Sequence, residues 1–514
     1  MHSQLFEKKL EQLYSEIEEF SEIHPEKAKY FNLKSLNDKD PYLETLLHGI
    51  AYIASNIENK LEEMPEEANQ ALLRNTCKKM VNPYSSRTVA EISLPDQEAC
   101  IQFIKADTLF EEQGIYFKPL WDCQYVPIQL KALSTGLEIN LNADLAWEAQ
   151  ALEQLLFYVH SDYKTQQLAY AFFKNHPIQS LELLDAKGLV LKIITKPKNL
   201  SFDFPYESYH TCFKNAQEFL TGSFLDYFLF RDLFAFYELK GLNQYYEKSV
   251  STIKIHWDVQ AGAAFYFKTI KANTIPLINN YIENSRIINL EPYIKEYQIK
   301  SEFNNTITFL EPIEILDWFE HGRTKPGDLN QIKILKKQKA LFIHNPELET
   351  NISPKKILVK FLADQQNKPH FDLDAYAWKG INRTLNPNLR VQNLSKPSLQ
   401  YSSMYKTQCQ YLSILNLLQT ENLCLSFIQS LKDLILNQDN LNIDLLDSIL
   451  DIKSQYKQKF KQGVLEECIE YELIISREKW PASSSKELFM DLLGHVFSSI
   501  RIDHRKIRIV YTER

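Results

Sequence analysis

The chain has 514 residues and only 12 glycines, against roughly 36 expected at the average usage of about 7%. No two glycines lie closer than five positions apart, which excludes the G-x-G-x-x-G and G-x-S-x-G motifs of nucleotide-binding loops and nucleophile turns. The net charge of −8, from 58 Lys and Arg against 66 Asp and Glu, argues against broad nucleic-acid binding.

Cysteine usage and hydropathy indicate a cytoplasmic protein. The seven cysteines include no C-x-x-C pair, which favours reduced thiols over disulfides or a zinc site. The first residues are charged and lack the apolar region of a secretory signal, and no stretch has the ~18 apolar residues of a membrane span. We therefore expect neither export by that route nor direct membrane insertion.

The first segment predicts a helix that packs against another helix. Apolar residues recur in steps of four and three, the heptad pattern, at Phe6, Leu10, Leu13, Ile17 and Phe20. The residues leave open whether the partner helix belongs to this chain or to another.

Two further helices complete a helical domain predicted for residues 1–82. The second begins at Asp40-Pro41, where Asp suits the N-cap and Pro the first helical position, and it carries an apolar stripe that includes Leu43, Leu47 and Ile50. The third covers about Pro65 to Met80.

The middle of the chain, residues 83–400, predicts a β-rich region of two subdomains. Leu152 to Val159 fits a helix or a buried strand, and the pattern around Leu168 to Phe172 fits a helix. Short apolar runs between polar turns predict strands at Val89–Leu94, Ile115–Phe117, Tyr125–Leu130, Leu189–Ile194, Ser251–Trp257 and Thr306–Leu310.

Two segments of this region allow both a purely structural and a functional interpretation. The aromatic run from Phe224 to Tyr237 favours a packed core, with a partner contact through Tyr227, Phe228 and Phe234 as the alternative. The lysine-rich segment 323–339 favours a solvated loop and strand edge, with an acidic partner as the alternative.

Residues 401–514 predict a C-terminal α/β unit. Helical patterns run through Tyr411–Leu418, Leu425–Ile435 and Ile443–Ile452. A strand at Ile469–Ile475, a helix capped by Ser484 or Ser485, and a closing strand at Lys506–Tyr511 follow. The predicted fold class is thus α+β and multidomain.

No motif supports catalysis. The twelve histidines include no H-E-x-x-H, and the pairs Asp38/Asp40 and Asp372/Asp374 lack the further ligands and the glycine of a calcium loop. We predict that the chain is not an enzyme and carries no catalytic, metal or cofactor site. The competing hypothesis is a β-rich carbohydrate-active enzyme, because glycosidase carboxylates leave no sequence pattern.

Three motifs in register resemble the TssF (VasA/ImpG) family of bacterial type VI secretion systems. They are His24-Pro25 with Ala28, the run from Asp40-Pro41 through Gly49 to Ala51, and Lys60-Leu61 through Pro65-Glu66. Later matches follow in family order. They include Phe157–Asp162, Asp226–Phe228, Phe234–Leu242, Thr274–Asn279, Ile381–Leu385, Leu412–Asn416 and Glu466–Val496.

The resemblance implies a structural subunit of a cytoplasmic baseplate wedge, docked at the inner membrane complex. It implies assembly with a TssG-like subunit, a second copy of the chain, a TssK-like adaptor, a TssE-like sheath initiator and a VgrG-like spike, without nucleic acid. It also implies a helical bundle and a wing-like β region similar to contractile phage wedge proteins, so a prophage or tailocin wedge is the second alternative.

Taken with the heptad pattern, the family motifs yield a set of candidate interface residues. These are Phe6, Leu10, Leu13, Ile17, Phe20, Leu43, Leu47, Ile50, Tyr227, Phe228 and Phe234.

Overall fold

The computed structural model divides into two compact units, residues 1–76 and 77–514. The predicted boundaries at 82 and 400 remain predictions. The structure describes residues 2–30, 44–55, 58, 84–95, 100–112, 114–141, 149–259, 264–291, 294, 296–302, 307–318, 324–326, 332–335, 340–343, 355–365, 377–380, 385–398, 427–429, 432, 440–461, 464–482, 484–500 and 506–513.

The helices of the described residues lie mostly near the two ends of the chain and around residues 160–270. They are α1 (His2–Ile23), α2 (Pro25–Tyr30), α3 (44–55), α4 (Tyr163–Asn175), α5 (Tyr206–His210), α6 (Ala216–Leu229), α7 (Ala264–Lys268), α8 (Asn440–Asp447) and α9 (Lys486–Ile500). Short 3-10 turns cover Ala149–Leu152, Arg231–Ala235 and Leu242–Tyr245.

The strands of the described residues all belong to the second unit. In chain order they are β1 (Arg87–Ser93), β2 (Gln102–Ile104), β3 (Phe110–Glu112), β4 (Ile115–Pro119), β5 (Cys123–Tyr125), β6 (Ile128–Ala132), β7 (Gly136–Leu141), β8 (Gln154–Val159), β9 (Ile178–Leu184), β10 (Val190–Thr195), β11 (Ser201–Asp203), β12 (Phe236–Lys240), β13 (Thr252–Trp257), β14 (Ile270–Ala272), β15 (Thr274–Ile278), β16 (Tyr281–Asn284), β17 (Ile288–Leu290), β18 (Glu296–Gln298), β19 (Ile307–Trp318), β20 (Thr324–Pro326), β21 (Ile332–Leu335), β22 (Ala340–Ile343), β23 (Lys355–Gln365), β24 (Ala377–Gly380), β25 (Arg390–Asn393), β26 (Ile449–Lys461), β27 (Val464–Ile475) and β28 (Lys506–Glu513).

In the first unit, α1 lies against the segment that contains α3. The Phe6 and His48 rings meet edge to face, with centroids 6.0 Å apart, and Lys9 Nζ lies 2.5 Å from a carboxylate oxygen of Glu58. Leu47 and Ala51, one turn apart on α3, are buried. The predicted first two helices are therefore present, and the third lies outside the described residues.

The second unit begins with a closed barrel of strand order β1-β15-β4-β3-β24-β25. Beside it are a five-stranded sheet, β10-β9-β13-β7-β6, and a four-stranded sheet, β11-β12-β8-β14. A further sheet joins β16, β23, β19 and β20, with β17 paired to β23, and small sheets join β18-β22-β21 and β2-β5. The mixed helix-and-strand architecture confirms the predicted fold class.

An aromatic core joins the five-stranded and four-stranded sheets. Trp257 on β13 packs against Phe202 on β11 at 5.4 Å between ring centroids and against Phe173 on α4 at 5.9 Å. Phe202 also stacks on Tyr237 of β12, with centroids 5.1 Å apart and planes 2° from parallel. Part of the chain's aromatic content therefore serves packing here, where large rings bury the most area.

The C-terminal segment forms the sheet β26-β27-β28, in which β27 and β28 are parallel and α9 connects them. The Leu488 N–H donates to Ser485 Oγ at 3.2 Å, so Ser485 is the predicted helix cap. The helix predicted for Ile443–Ile452 was wrong beyond Asp447, because β26 starts at Ile449 and pairs along the length of β27. The spacing of the apolar residues in that stretch fits both the period of a helix and the two-residue period of a strand.

One glycine of the family motifs has a steric requirement that we expect to appear as lost stability. Gly241 has φ +85°, and a Cβ there would lie 2.1 Å from the Asn199 carbonyl oxygen. Gly188 has φ +78° but would meet nothing within 4 Å. We expect Gly188→Ala to cost about 1–2 kcal/mol of unfolding free energy from backbone strain, and Gly241→Ala about 2 kcal/mol more. Urea unfolding of both variants measures this, and equal losses would show that the close approach is unimportant.

Candidate interface and buried ion cluster

The heptad residues of α1 are only partly covered within the described part of the chain. Phe6, Leu10, Leu13 and Ile17 are half-buried, and Phe20 is exposed. The Phe20 ring contacts His24 at 5.2 Å between centroids. The residues thus retain apolar surface along one side of the helix, which is what a helix shared with another chain requires.

Helix α3 has one face toward its own unit and one toward solvent. Leu47 is 6% exposed, whereas Ile50 is 43% and Ile53 is 60% exposed. Leu46, at the spacing that places it on the same side as these two isoleucines, is exposed as well. We call Leu46, Ile50 and Ile53 the α3 face. Leu43, the remaining candidate on this helix, lies outside the described residues.

The three aromatic candidates of α6 and the following turn lie in the core of the second unit. Tyr227, Phe228 and Phe234 are buried. The Tyr227 ring lies 5.8 Å from that of Phe234 and 5.7 Å from that of Phe489 on α9. Their surroundings support the packed-core interpretation that the sequence favoured for this run, because these rings present little surface to another chain.

A buried ion cluster surrounds Asp226, the neighbour of these aromatic residues. Arg87 Nη1 on β1 lies 2.5 Å from Asp226 Oδ1, and both side chains are buried. Tyr84 donates to Oδ1 at 2.9 Å, and Tyr209 of α5 donates to Oδ2 at 2.7 Å. The guanidinium carbon of Arg87 lies 4.6 Å from the Tyr84 ring centroid. One carboxylate therefore joins a barrel strand to α5 and α6.

The charge states of this ion cluster follow from burial. Burial raises the pKa of Tyr84 and of Tyr209 well above the ordinary value, and the Asp226 carboxylate adds to the rise. Burial alone would lower the pKa of Arg87, but the Asp226 charge and the two phenols offset that effect, so its pKa lies above the ordinary value. Both phenols stay protonated and remain hydrogen-bond donors to the carboxylate.

Asp226 was not among the sequence-derived candidates, although it opens the motif that contains Tyr227 and Phe228. The available signal was one acidic residue inside the apolar run Phe224–Phe230. An acid at such a position is almost never buried without a partner. Its partner, Arg87, lies far away in sequence, and spacing does not reveal such a pair.

A second polar cluster joins α4, α5 and α9. Tyr170 donates to Asp491 Oδ2 at 2.8 Å, and Lys174 pairs with the same carboxylate. The rings of Tyr206 and His495 stack with centroids 3.6 Å apart. Burial lowers the pKa of His495; Asp491 opposes this effect, and the positive charges of His210 and Lys174 reinforce it.

The lowered pKa of His495 predicts lower stability in acid. Its pKa in the unfolded chain is about 6.5, so below that pH the unfolded state binds the proton more readily and folding becomes less favourable. We expect His495→Gln to reduce the loss of stability between about pH 7.5 and about pH 5.5. Urea midpoints of both proteins at the two pH values measure this, and equal losses would contradict it.

No group of three or more His, Cys, Asp or Glu side chains in the described part of the chain is placed to hold a metal ion. Among the same residues, no helix combines the length and the apolar character needed to cross a membrane.

Comparisons with known proteins agree with the sequence motifs. The profile described as "Type VI secretion system, TssF" matches residues 2–325. A cryo-EM structure of a type VI secretion TssK-TssF-TssG baseplate subcomplex contains a chain with a TM-score of 0.70 and 14% identity, which covers 92% of this chain and 96% of that one. A chain of "The baseplate complex from the type VI secretion system" has a TM-score of 0.56 and 14% identity, and the match covers 99% of this chain and 97% of that one. No curated protein matches the sequence.

Proposed function

The chain belongs to the TssF family of the type VI secretion system, and from that premise we propose that it is a structural subunit of the baseplate wedge. The proposal rests on the family match, which covers more than half of the chain. The same match confirms the family predicted from the sequence motifs. The chain of the first similar structure covers 92% of this chain, so the shared fold extends beyond residue 325.

Within that role the chain binds a TssG-like subunit and a TssK-like adaptor. The similar structures were solved as assemblies of this type, one of them named for TssK, TssF and TssG. The partly covered heptad residues of α1 and the α3 face provide the apolar helical surface that such an assembly would bury. The sequence resemblance extends the proposal to a second copy of the chain, a TssE-like initiator and a VgrG-like spike.

The chain works through its interfaces rather than through bond chemistry, on the cytoplasmic side of the inner membrane complex. The buried carboxylate of Asp226 holds three side chains of its own unit, so its charge serves the fold. A state change in the baseplate would then be carried by alternative packings at subunit interfaces.

Co-expression tests the proposal. A tagged chain is produced together with the TssG-like and TssK-like proteins encoded in the same genome, and the purified complex is separated by size. We expect all three to elute together. The same purification with an untagged chain controls for proteins that are retained without the tag. Recovery of neither protein would overturn the proposal. Phage tail and lysis genes beside the coding gene would favour the tailocin alternative instead.

A further inference from the structure

The strand β10 forms one edge of the five-stranded sheet in the second unit. It pairs with β9 on one side, and no strand of the described residues pairs with its other side. An edge of this kind presents backbone N–H and C=O groups that another extended chain can use.

The open side of β10 can be identified from the ladder. The Lys196 N–H donates to the Gln179 carbonyl of the β9 side at 2.7 Å, and Ile194 pairs with Leu181 in the same register. Because N–H directions alternate along an antiparallel strand, the N–H groups of Ile193 and Thr195 point away from β9. Two donors therefore face the open edge.

The apolar exposure around this edge is concentrated. Leu189 is 63%, Val190 is 51%, Leu191 is 45% and Ile193 is 58% exposed, which makes four exposed apolar residues within five positions. Single exposed apolar residues are ordinary, but a contiguous group of them beside an unpaired edge marks an interaction surface. We call these four residues and the backbone of β10 the β10 edge.

The charged residues beside the β10 edge indicate which kind of partner it can bind. Lys187, Lys192, Lys196 and Lys198 lie along or beside it. Asp185 uses a carboxylate oxygen to accept the backbone N–H groups of Lys187 and Leu189, and Glu247 lies 4.0 Å from Lys192 at the limit of an ion pair. The edge is thus apolar and basic.

Self-pairing of two β10 edges would place the lysines of one copy beside those of the other. Like charges opposite each other destabilise a strand pair, whereas opposite charges stabilise it. We propose that the β10 edge binds, by β-strand addition, an extended segment of a different protein in which apolar and acidic residues alternate. The β10 edge consists of residues other than those of α1 and the α3 face, and the proposal does not depend on the proposed wedge role.

Fluorescence anisotropy with a labelled peptide tests the proposal on the full-length chain. The probe is a blocked octapeptide of alternating Val and Glu, and the matched probe alternates Val and Lys. We expect saturable binding of the acidic probe alone, weakened at least about tenfold by Lys192→Glu and by Ile193→Pro. Proline at 193 removes an outward N–H and leaves the ladder to β9 intact. Phe103→Ser, at an exposed apolar residue on β2, should bind like the wild type.

Three outcomes would overturn the proposal. One is the absence of saturable binding, and another is equal binding of both probes or of all the variants. The third is a concentration-dependent dimer in analytical ultracentrifugation that Ile193→Pro abolishes, because a second copy would then be the occupant. Thermal unfolding of each variant checks that it folds. If the proline variant does not fold, Lys192→Glu still tests the proposal.

Discussion

Replacing Asp226 with Ala is expected to lower the free energy of unfolding of the second unit by about 3–5 kcal/mol. The substitution leaves Arg87 buried without its carboxylate and deprives the Tyr84 and Tyr209 hydroxyls of their acceptor. An uncompensated buried charge costs far more than a lost surface contact. Urea unfolding followed by tryptophan fluorescence measures the change.

Two further variants separate the charge effect from lost packing. In the double variant Arg87→Met with Asp226→Leu no buried charge is left over, so we expect it to be more stable than Asp226→Ala. Glu91 lies on the same strand as Arg87 and forms an ion pair with Lys271 of β14, in which both side chains are about one-third exposed. Glu91→Gln breaks this pair and should cost under about 1 kcal/mol. A loss below about 1 kcal/mol for Asp226→Ala would show that the ion cluster contributes little.

Local patterns predicted elements well where one face of the element is buried. The alternation in Ser251–Trp257 matched β13, whose odd-numbered residues are buried on one face of the sheet. The predicted strand Tyr125–Leu130 is two strands, β5 and β6, separated by Val126-Pro127. Proline lacks the N–H that an uninterrupted ladder needs at that point, so Pro127 was the overlooked signal.

Long-range pairing could not be predicted from spacing. The barrel brings β1 beside β25, which joins residues about 300 positions apart. The Asp226 cluster depends on the same kind of contact, because Tyr84 lies 142 positions from Asp226 in sequence and Arg87 belongs to a barrel strand. The family motifs revealed which segments belong together in order, but they do not say which side chains meet.

The interface residues divide according to what covers them. For α1 and α3 the pattern marked helices with apolar faces, and the structure shows partial exposure of those faces. For Tyr227, Phe228 and Phe234 an equally apolar pattern marks a helix and turn packed on all sides. The sequence pattern records apolar character, whereas accessibility depends on the tertiary neighbours.

Charged substitutions on the α3 face are expected to weaken binding to the TssG-like subunit strongly. Ile50 and Ile53 are exposed in the isolated chain, so Ile50→Asp with Ile53→Asp leaves the first unit folded. Full burial of one such side chain contributes about 1.5–3 kcal/mol, so the pair should weaken binding by roughly a hundredfold or more. Biolayer interferometry with the purified TssG-like subunit measures the affinity, and circular dichroism checks the helices.

Leu47 provides the contrast that makes this result interpretable. It lies on the same helix but is buried, so Leu47→Asp should reduce helicity as well as binding. Leu168→Asp, at an exposed leucine of α4, should change neither property. If the isoleucine double variant bound the TssG-like subunit as tightly as the wild type, the α3 face would not be the docking surface. If Leu47→Asp stayed folded and bound normally, a core role for Leu47 would be wrong as well.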